Sequence, residues 1–251
     1  MRRKEKMDNT LQKFKKGIKK GGILKNENGK NVKICDISFE MEKDKCYLFG
    51  EALYLGHLDA CRTIHIEENM KNKIKDQLYG ATDNEGVPFL LKSYFDKAVP
   101  SDSNSFDCFH EKLCIKLTDK FKGYNIDLKY GQAQKIVNMA FKYLYCCKDI
   151  KENYNYFKYC HMPLDKFTLL WFGKISGIYI FTWSSMNVEL YKKVEKSIRS
   201  YINKKYSNQR TVLDEEFDVW EEMKGKTFDL SYNRSNDKQR EIIKKINEIK
   251  D

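Results

Sequence analysis

The sequence has few of the residues that interrupt helices. Only three prolines (Pro88, Pro100 and Pro163) occur in 251 residues. Because proline removes a backbone donor and clashes with the preceding turn, this scarcity favours long helices. No apolar run approaches the roughly 18 to 20 residues that a membrane-spanning helix needs, and the basic N-terminal stretch lacks the apolar segment of a secretory signal. We therefore expect no membrane association and a cytoplasmic location.

Closely paired cysteines are also missing. The chain has eight cysteines but no Cys-x-x-Cys motif, and none follows Cys160. Structural zinc sites and iron–sulfur clusters usually need tightly spaced sets of ligands, so the sequence predicts reduced thiols, no metal and no cofactor. The group that comes nearest to a metal site is Cys108, His110 and Cys114, and the sequence leaves open whether these residues bind a metal.

Positive charge is concentrated at one end of the chain. The formal net charge is +11, and residues 1–33 hold twelve Lys and Arg against three acidic residues. This basic N-terminal arm carries a net +9 and leaves about +2 for the rest of the chain. Such an arm can bind a nucleic-acid backbone, a membrane surface or an acidic partner, and it can also be no more than a solvated terminus.

Apolar periodicity predicts a mostly α protein, a globular body of many helices. Apolar residues recur every four positions from Phe109 to Phe121, which indicates a helix over 106–122. A wide apolar face indicates a second helix from about Gln132 to Cys147. Alternating apolar and polar residues suggest a short β segment near residues 31–50.

The clearest loop in the chain is the segment around Pro100, which is rich in serine and aspartate. With the charge distribution, it suggests three parts. These are the basic arm at 1–33, an N-terminal helical subdomain of unassigned role at 34–104, and a helical domain at 105–251 that contains a helix, a short turn and a second helix.

Two short stretches in this last part carry residues suited to chemistry. Gly131 stands in the turn before the second helix, where backbone N–H groups can approach an anion, and Lys135 follows one turn later. Downstream, Pro163 and Leu164 precede Asp165 at the start of another apolar helix. Asp165 there is suited to capping the helix, and Lys135 suits a solvated helix face, so each residue also has a structural interpretation.

These stretches resemble the helix-hairpin-helix (HhH-GPD) DNA glycosylase/AP lyase superfamily, whose turn has the form G-x-G-x-K-x-x-N or D. Gly131 matches the first glycine, Ala133 stands where the second glycine is usual, and Lys135 matches the lysine. Pro163-Leu164-Asp165 matches the step that carries the aspartate of the family. The long interval between Lys135 and Asp165 is most similar to the archaeal-type 8-oxoguanine DNA glycosylases. The resemblance covers about residues 105–175.

The resemblance implies a DNA repair glycosylase with AP lyase activity that binds duplex DNA containing a damaged base, with 8-oxoguanine as the first candidate. Lys135 would be the nucleophile that forms a Schiff base, its ammonium pKa lowered by burial, and Asp165 would take up the proton. The DNA phosphate would bind at three positions, Lys129, Gly131 and Ala133. A flipped base would lie in a pocket walled by Phe141, Trp171 and Trp183.

Other functions fit the same residues. A non-catalytic nucleic-acid-binding protein could keep the hairpin for backbone contacts and use the basic arm for affinity that depends on salt. A phage-defence-associated α-helical protein without DNA chemistry is also compatible with the composition. The sequence assigns no oligomeric state.

Overall fold

The computed structural model describes residues 10–16, 23–25, 30–80, 86–180, 182–207, 209–226 and 239–248. The fold is mostly α, as the periodicity predicts. Residues 10–16 form helix α1. The remaining α-helices in the described ranges are α2 Phe39–Glu42, α3 Cys46–Ala60, α4 Glu68–Leu78, α5 Val87–Phe95, α6 Ser103–Lys122, α7 Tyr130–Leu144, α8 Lys166–Ser176, α9 Val188–Tyr206, α10 Val212–Met223 and α11 Gln239–Glu248.

Strand structure in the described ranges is limited to one antiparallel pair, β1 (Ile23–Lys25) and β2 (Asn31–Lys33), in whose register Leu24 pairs with Val32. The β segment expected near residues 31–50 is therefore present only at its start. Beyond it, Ser38 forms an isolated β-bridge with Lys148, and most of the remaining stretch is helical, with the Ser38 hydroxyl capping α2 by accepting a hydrogen bond from the Met41 N–H. Of the basic arm at 1–33, the residues outside 10–16, 23–25 and 30–33 lie outside the described ranges.

Helix α7 lies at the centre of the fold. Every residue from Gly131 to Leu144 is buried. Helix α3 packs against α7 at close range, since a Cβ at Gly56 would lie 2.3 Å from the carbonyl oxygen of Ile136. Because Gly56 has no Cβ, the backbones of α3 and α7 can approach each other closely. The burial of α7 shows that other elements also surround it.

The apolar side chains form two clusters. The first surrounds α7 and extends from Ile34 to Cys160, and it also takes in Leu213 and Phe217 of α10. This cluster continues across residue 104, where the sequence suggests a boundary between two parts, because α3 and α5 pack with α6 and α7. The second cluster begins at Met162 and continues to Ile246 in α11. The chain passes from one cluster to the other just before Asp165.

Among the residues described, no helix combines the length and the apolar character needed to cross a membrane.

Candidate functional site

Lys135 lies one turn into α7, at a position fixed by the way this helix begins. Lys129 occupies the N-cap position with extended backbone, and its N–H donates to the Gln132 side chain at 2.8 Å. Burial of the following residues then orients the helix, so that Lys135 points between elements instead of into solvent. Its side chain is only 7% exposed.

Asp165 reaches the same place from the other side. It is the N-cap of α8, and its Oδ1 accepts hydrogen bonds from the N–H groups of Phe167 and Thr168, at 2.8 and 3.1 Å. Its second oxygen, Oδ2, accepts a hydrogen bond of 2.7 Å from Lys135 Nζ. The structure thus brings together the two residues that the sequence singled out. Asp165 performs two tasks with different oxygens, since one caps the helix and the other holds the ammonium group.

Two side chains of α7 hold the segment before Asp165 in place. Gln134 donates to the Leu164 carbonyl at 2.9 Å and accepts from the Leu164 N–H at 3.2 Å. Asn138 donates to the Met162 carbonyl at 3.2 Å. Gln134 precedes Lys135 and Leu164 precedes Asp165, so this pairing sets the two functional groups opposite each other.

Charge holds the pair in its ionised form. Burial by itself would lower the pKa of the Lys135 ammonium, but the carboxylates of Asp165 and Asp59 outweigh it and raise that pKa above 10.5. For Asp165, burial raises the pKa, but Lys135 and the N–H groups of α8 lower it below 3.8. The expectation that the Lys135 pKa is lowered is therefore wrong, because carboxylates from distant parts of the chain surround the amine.

A second buried ion pair lies further along α7. Lys142 Nζ is 2.5 Å from Glu216 Oε2, and both side chains are 1% exposed. The Phe14 ring of α1 covers Lys142, with 4.0 Å between Nζ and the ring centroid. Lys135 and Lys142 are seven residues apart and share a helix face, so α7 carries two buried ammonium groups.

The predicted phosphate-binding N–H groups have other partners. The Gly131 N–H donates to the Met186 carbonyl at 3.0 Å, and the Ala133 N–H donates to the Lys129 carbonyl at 3.0 Å. A Cβ at Gly131 would lie 1.9 Å from the Trp183 carbonyl oxygen, because the segment between α8 and α9 crosses the turn here. At Gly131, where the sequence predicts a bound phosphate, the structure therefore has a segment of the chain itself. Lys129 is exposed and forms an ion pair with Asp127.

The three predicted pocket walls do not face one opening. Phe141 has no exposed surface and lies in the first apolar cluster. Trp171 is 5% exposed and packs in the second cluster, edge-on to Tyr201. Trp183 is half-buried beside the turn at Gly131. Phe141 and Trp171 are thus core residues, and spacing along the sequence could not distinguish a core aromatic from a pocket wall.

The eight cysteines are all free, and Cys108 is exposed. Cys114 is buried beside the His110 ring, with 3.7 Å between its Sγ and the Nε2 of His110. Among the described residues, no group of three or more His, Cys, Asp or Glu side chains could hold a metal ion.

Sequence reasoning missed Gln134 and Asp59. The signal for Gln134 is the polar pair that it forms with Asn138, four positions later on the same face of a largely apolar helix. Asp59 has no such signal, since it acts on Lys135 only through the packing of α3 on α7.

Comparison of the chain with protein-family models, with curated proteins and with solved structures gave no match. A buried primary amine in contact with a carboxylate can form a Schiff base with a carbonyl group, provided that the carboxylate receives the proton of the ammonium.

Proposed function

We propose that this protein is a DNA glycosylase with AP lyase activity, that Lys135 is its nucleophile and that Asp165 is its general base. One observation carries the proposal, namely the 2.7 Å hydrogen bond from Lys135 Nζ to Asp165 Oδ2. This contact joins the two positions at which the chain resembles HhH-GPD glycosylases. Duplex DNA that contains an oxidised purine, 8-oxoguanine first, is the proposed substrate.

Asp165 is suited to act as the base because its Oδ2 already accepts a hydrogen bond from the Lys135 ammonium group. In the reaction, Oδ2 takes the proton from the ammonium, and the amine attacks C1′ of the damaged nucleotide. The bond between C1′ and the base breaks, and the base leaves with the electron pair and takes the proton from Asp165. Asp165 then accepts a proton from the attacking nitrogen and passes it to the ring oxygen as the sugar ring opens, which gives a protonated Schiff base. Asp165 next removes a proton from C2′, the bond between C3′ and its oxygen breaks, and the 3′ phosphate leaves, so that the strand is cleaved.

The Asp165 carboxylate is held rigidly for this role. Its Oδ1 is fixed by the N–H groups of Phe167 and Thr168, so Oδ2 cannot turn away from the amine without breaking the cap of α8. Positive potential at the helix start also favours the charged carboxylate in the resting state. Both effects support a pair that is preorganised for proton transfer.

The proposal is tested by trapping the Schiff base. The full-length protein is incubated with one duplex that contains an abasic site and with another that contains 8-oxoguanine, and borohydride is added. We expect a covalent protein–DNA adduct for the wild type and for Lys142→Gln, and none for Lys135→Gln. Lys142 is the matched control, because it is a second buried, ion-paired lysine on the same helix. Absence of an adduct with both duplexes would overturn the proposal.

A second candidate function is nucleic-acid binding without catalysis. It is favoured by the resting state of Lys135, whose amine is protonated and engaged by Asp165. Gel shifts that weaken with salt, together with no adduct from the wild type, would establish this function in place of the first.

A further inference from the structure

A network of hydrogen-bonded side chains leads through the protein to the segment before Asp165. Its members come from α6, α7, α9 and the segment that precedes α8, and each is joined to the next at 2.7 to 3.0 Å. In order, the members of this network are Asp107, His161, Tyr191, Asn138 and Gln134. Because Gln134 binds both backbone groups of Leu164, the network ends on the residue next to Asp165.

Asp107 begins the network as an ionised carboxylate. Arg199 donates to both of its oxygens, at 2.7 and 3.1 Å. Burial alone would raise the pKa of Asp107, but the hydrogen bonds from His161 and Arg199 outweigh it and lower that pKa below 3.8. A carboxylate only accepts hydrogen bonds, and the Nε2 atom of His161 lies 2.7 Å from Oδ1 of Asp107. Asp107 therefore fixes a proton on the Nε2 atom of His161.

Tyr191 connects the His161 ring to α7. Its hydroxyl lies 2.7 Å from Nδ1 of His161 and 2.9 Å from Nδ2 of Asn138. The Asn138 nitrogen only donates, so the Tyr191 oxygen accepts from Asn138 and its own proton is directed at Nδ1 of His161. Nδ1 is the nearer acceptor, because Nε2 of His110 is 3.3 Å away. Burial of the His161 ring also lowers its pKa, which agrees with a neutral ring whose Nδ1 carries no proton.

Asn138 and Gln134 continue the network to the backbone before Asp165. Nδ2 of Asn138 donates to Oε1 of Gln134 at 3.0 Å, and the same oxygen accepts from the Leu164 N–H at 3.2 Å. Since His161 is the third residue before Leu164, the backbone between them and the side chains of the network form a closed ring. A displacement of the His161 ring is therefore transmitted to Leu164 by both routes.

Water cannot readily replace a lost bond in this network. Tyr191 is 1% exposed, and Asn138 and Gln134 have no exposed surface. A buried polar group that loses its partner is costly, so the surrounding segments must shift to satisfy it. The alignment of Asp165 thus depends on each link of the network.

We propose that Asp107 and His161 are positioning residues for the reaction of Lys135 and Asp165. Asp107 sets which nitrogen of His161 carries the proton, and the network then holds Asp165 with its Oδ2 directed at Lys135. Both residues act through Asp165 and not on the substrate. The inference rests on the proposed function, and one of its two tests needs no DNA.

The first test compares two tyrosine variants of the full-length protein by single-turnover trapping with cyanoborohydride on abasic duplex DNA. Tyr191→Phe removes the central link of the network, so trapping should slow about tenfold. Its rate should also rise between about pH 5.5 and 8.5, where the wild-type rate is nearly constant, because a displaced Asp165 leaves Lys135 to lose its proton to solvent. Tyr145→Phe also removes a buried tyrosine hydroxyl bond, and this matched control should keep the wild-type rate and profile. A loss of stability by itself would not change the pH dependence.

The second test is NMR spectroscopy of the free protein with isotopically labelled histidine. Correlation spectra report which ring nitrogens carry protons, and the chain has four histidines. The signals of His161 are those lost in His161→Gln. At neutral pH we expect a neutral His161 ring with its proton on Nε2. In Asp107→Asn the proton should distribute between both nitrogens, because an amide can donate or accept, and trapping should slow as it does in Tyr191→Phe.

The outcomes separate this inference from the proposed function. A charged His161 ring in the wild type, or a proton on Nδ1, would overturn the inference. Wild-type rates and pH profiles in both Tyr191→Phe and Asp107→Asn would also overturn it, and either result leaves the proposed function in place. The absence of any adduct from the wild type would overturn the proposed function together with the positioning role that rests on it.

Discussion

The Nζ atom of Lys135 donates a 2.7 Å hydrogen bond to Oδ2 of Asp165, across an interval of 30 residues. The lysine comes from a buried helix and the aspartate from the cap of the next one. Because Gln134 binds the backbone immediately before Asp165, the geometry of the pair is set by the packing of that segment on α7.

The two residues should be coupled energetically. Asp165→Asn keeps Oδ1 as a cap for α8 and removes the acceptor of Lys135, so it should lower the free energy of unfolding by about 3 kcal/mol. Lys135→Met should cost a similar amount, and the double variant less than the sum. Denaturant unfolding at pH 7 measures this cycle, and costs that add within about 0.5 kcal/mol would show that the pair contributes no coupling.

The pH of that measurement matters. Asp165 has a folded pKa below 3.8, so its contribution to stability is present above 3.8 and is lost as the pH falls through the folded value. Lys135 has a folded pKa above 10.5, so its contribution is present below 10.5 and is lost as the pH rises through the folded value. At neutral pH both contributions to stability are therefore present.

Schiff-base formation should respond to pH differently in the wild type and in Asp165→Asn. Between about pH 5.5 and 8.5 the wild-type pair stays ionised, and Asp165 removes the proton internally, so the trapping rate should be nearly constant. Without the carboxylate, Lys135 must lose its proton to solvent, and the rate should rise with pH. Single-turnover trapping with cyanoborohydride measures both profiles, with Lys135→Gln as the blank. Parallel profiles would argue against Asp165 as the base.

Gln134 should act as a positioning residue. Gln134→Ala removes both bonds to Leu164, so Asp165 should lose its alignment and trapping should slow by about tenfold to a hundredfold. Tyr145→Phe is the control at the other end of the same helix, because it removes a buried hydrogen bond to Asp214 and leaves the contacts of Leu164 in place. The pH profile of Gln134→Ala should shift towards that of Asp165→Asn. A simple loss of stability would slow trapping without moving the profile.

Gly131 should tolerate no side chain. The Cβ of Gly131→Ala would lie 1.9 Å from the Trp183 carbonyl oxygen, so the crossing segment must move, and we expect a loss of at least about 2 kcal/mol. Gly123→Ala is the matched control, since its Cβ would lie 3.2 Å from the Lys120 carbonyl oxygen with helical backbone. Thermal unfolding compares the two. Equal melting temperatures of the two variants would contradict this prediction, because they would mean that the segment at Trp183 moves aside at little cost in stability.

Local pattern predicted the helices well. The four-residue period places a helix at 106–122, and the structure has Ser103–Lys122, which begins earlier because Asp102 caps it by accepting from the Ser105 N–H. The helix expected at 132–147 is Tyr130–Leu144. Residues that repeat along one face report burial directly, and helix ends depend on single capping contacts.

Contacts between distant segments could not be predicted in the same way. The Met186 carbonyl that binds the Gly131 N–H comes from a loop 55 residues later, and Asp59, which raises the pKa of Lys135, comes from α3. The sequence identifies Lys135 and Asp165 as a motif. Whether the amine is neutral or charged depends on side chains that only the folded chain brings near.

The most direct measurement is peptide mapping by mass spectrometry of the protein after borohydride trapping with abasic duplex DNA. We expect one modified peptide, with the reduced deoxyribose adduct on the side-chain nitrogen of Lys135. An adduct on Lys142, on a lysine of the arm at residues 1–33 or on the N-terminal amine would contradict the assignment. The same would follow if no peptide carried an adduct under conditions in which the wild type binds the duplex.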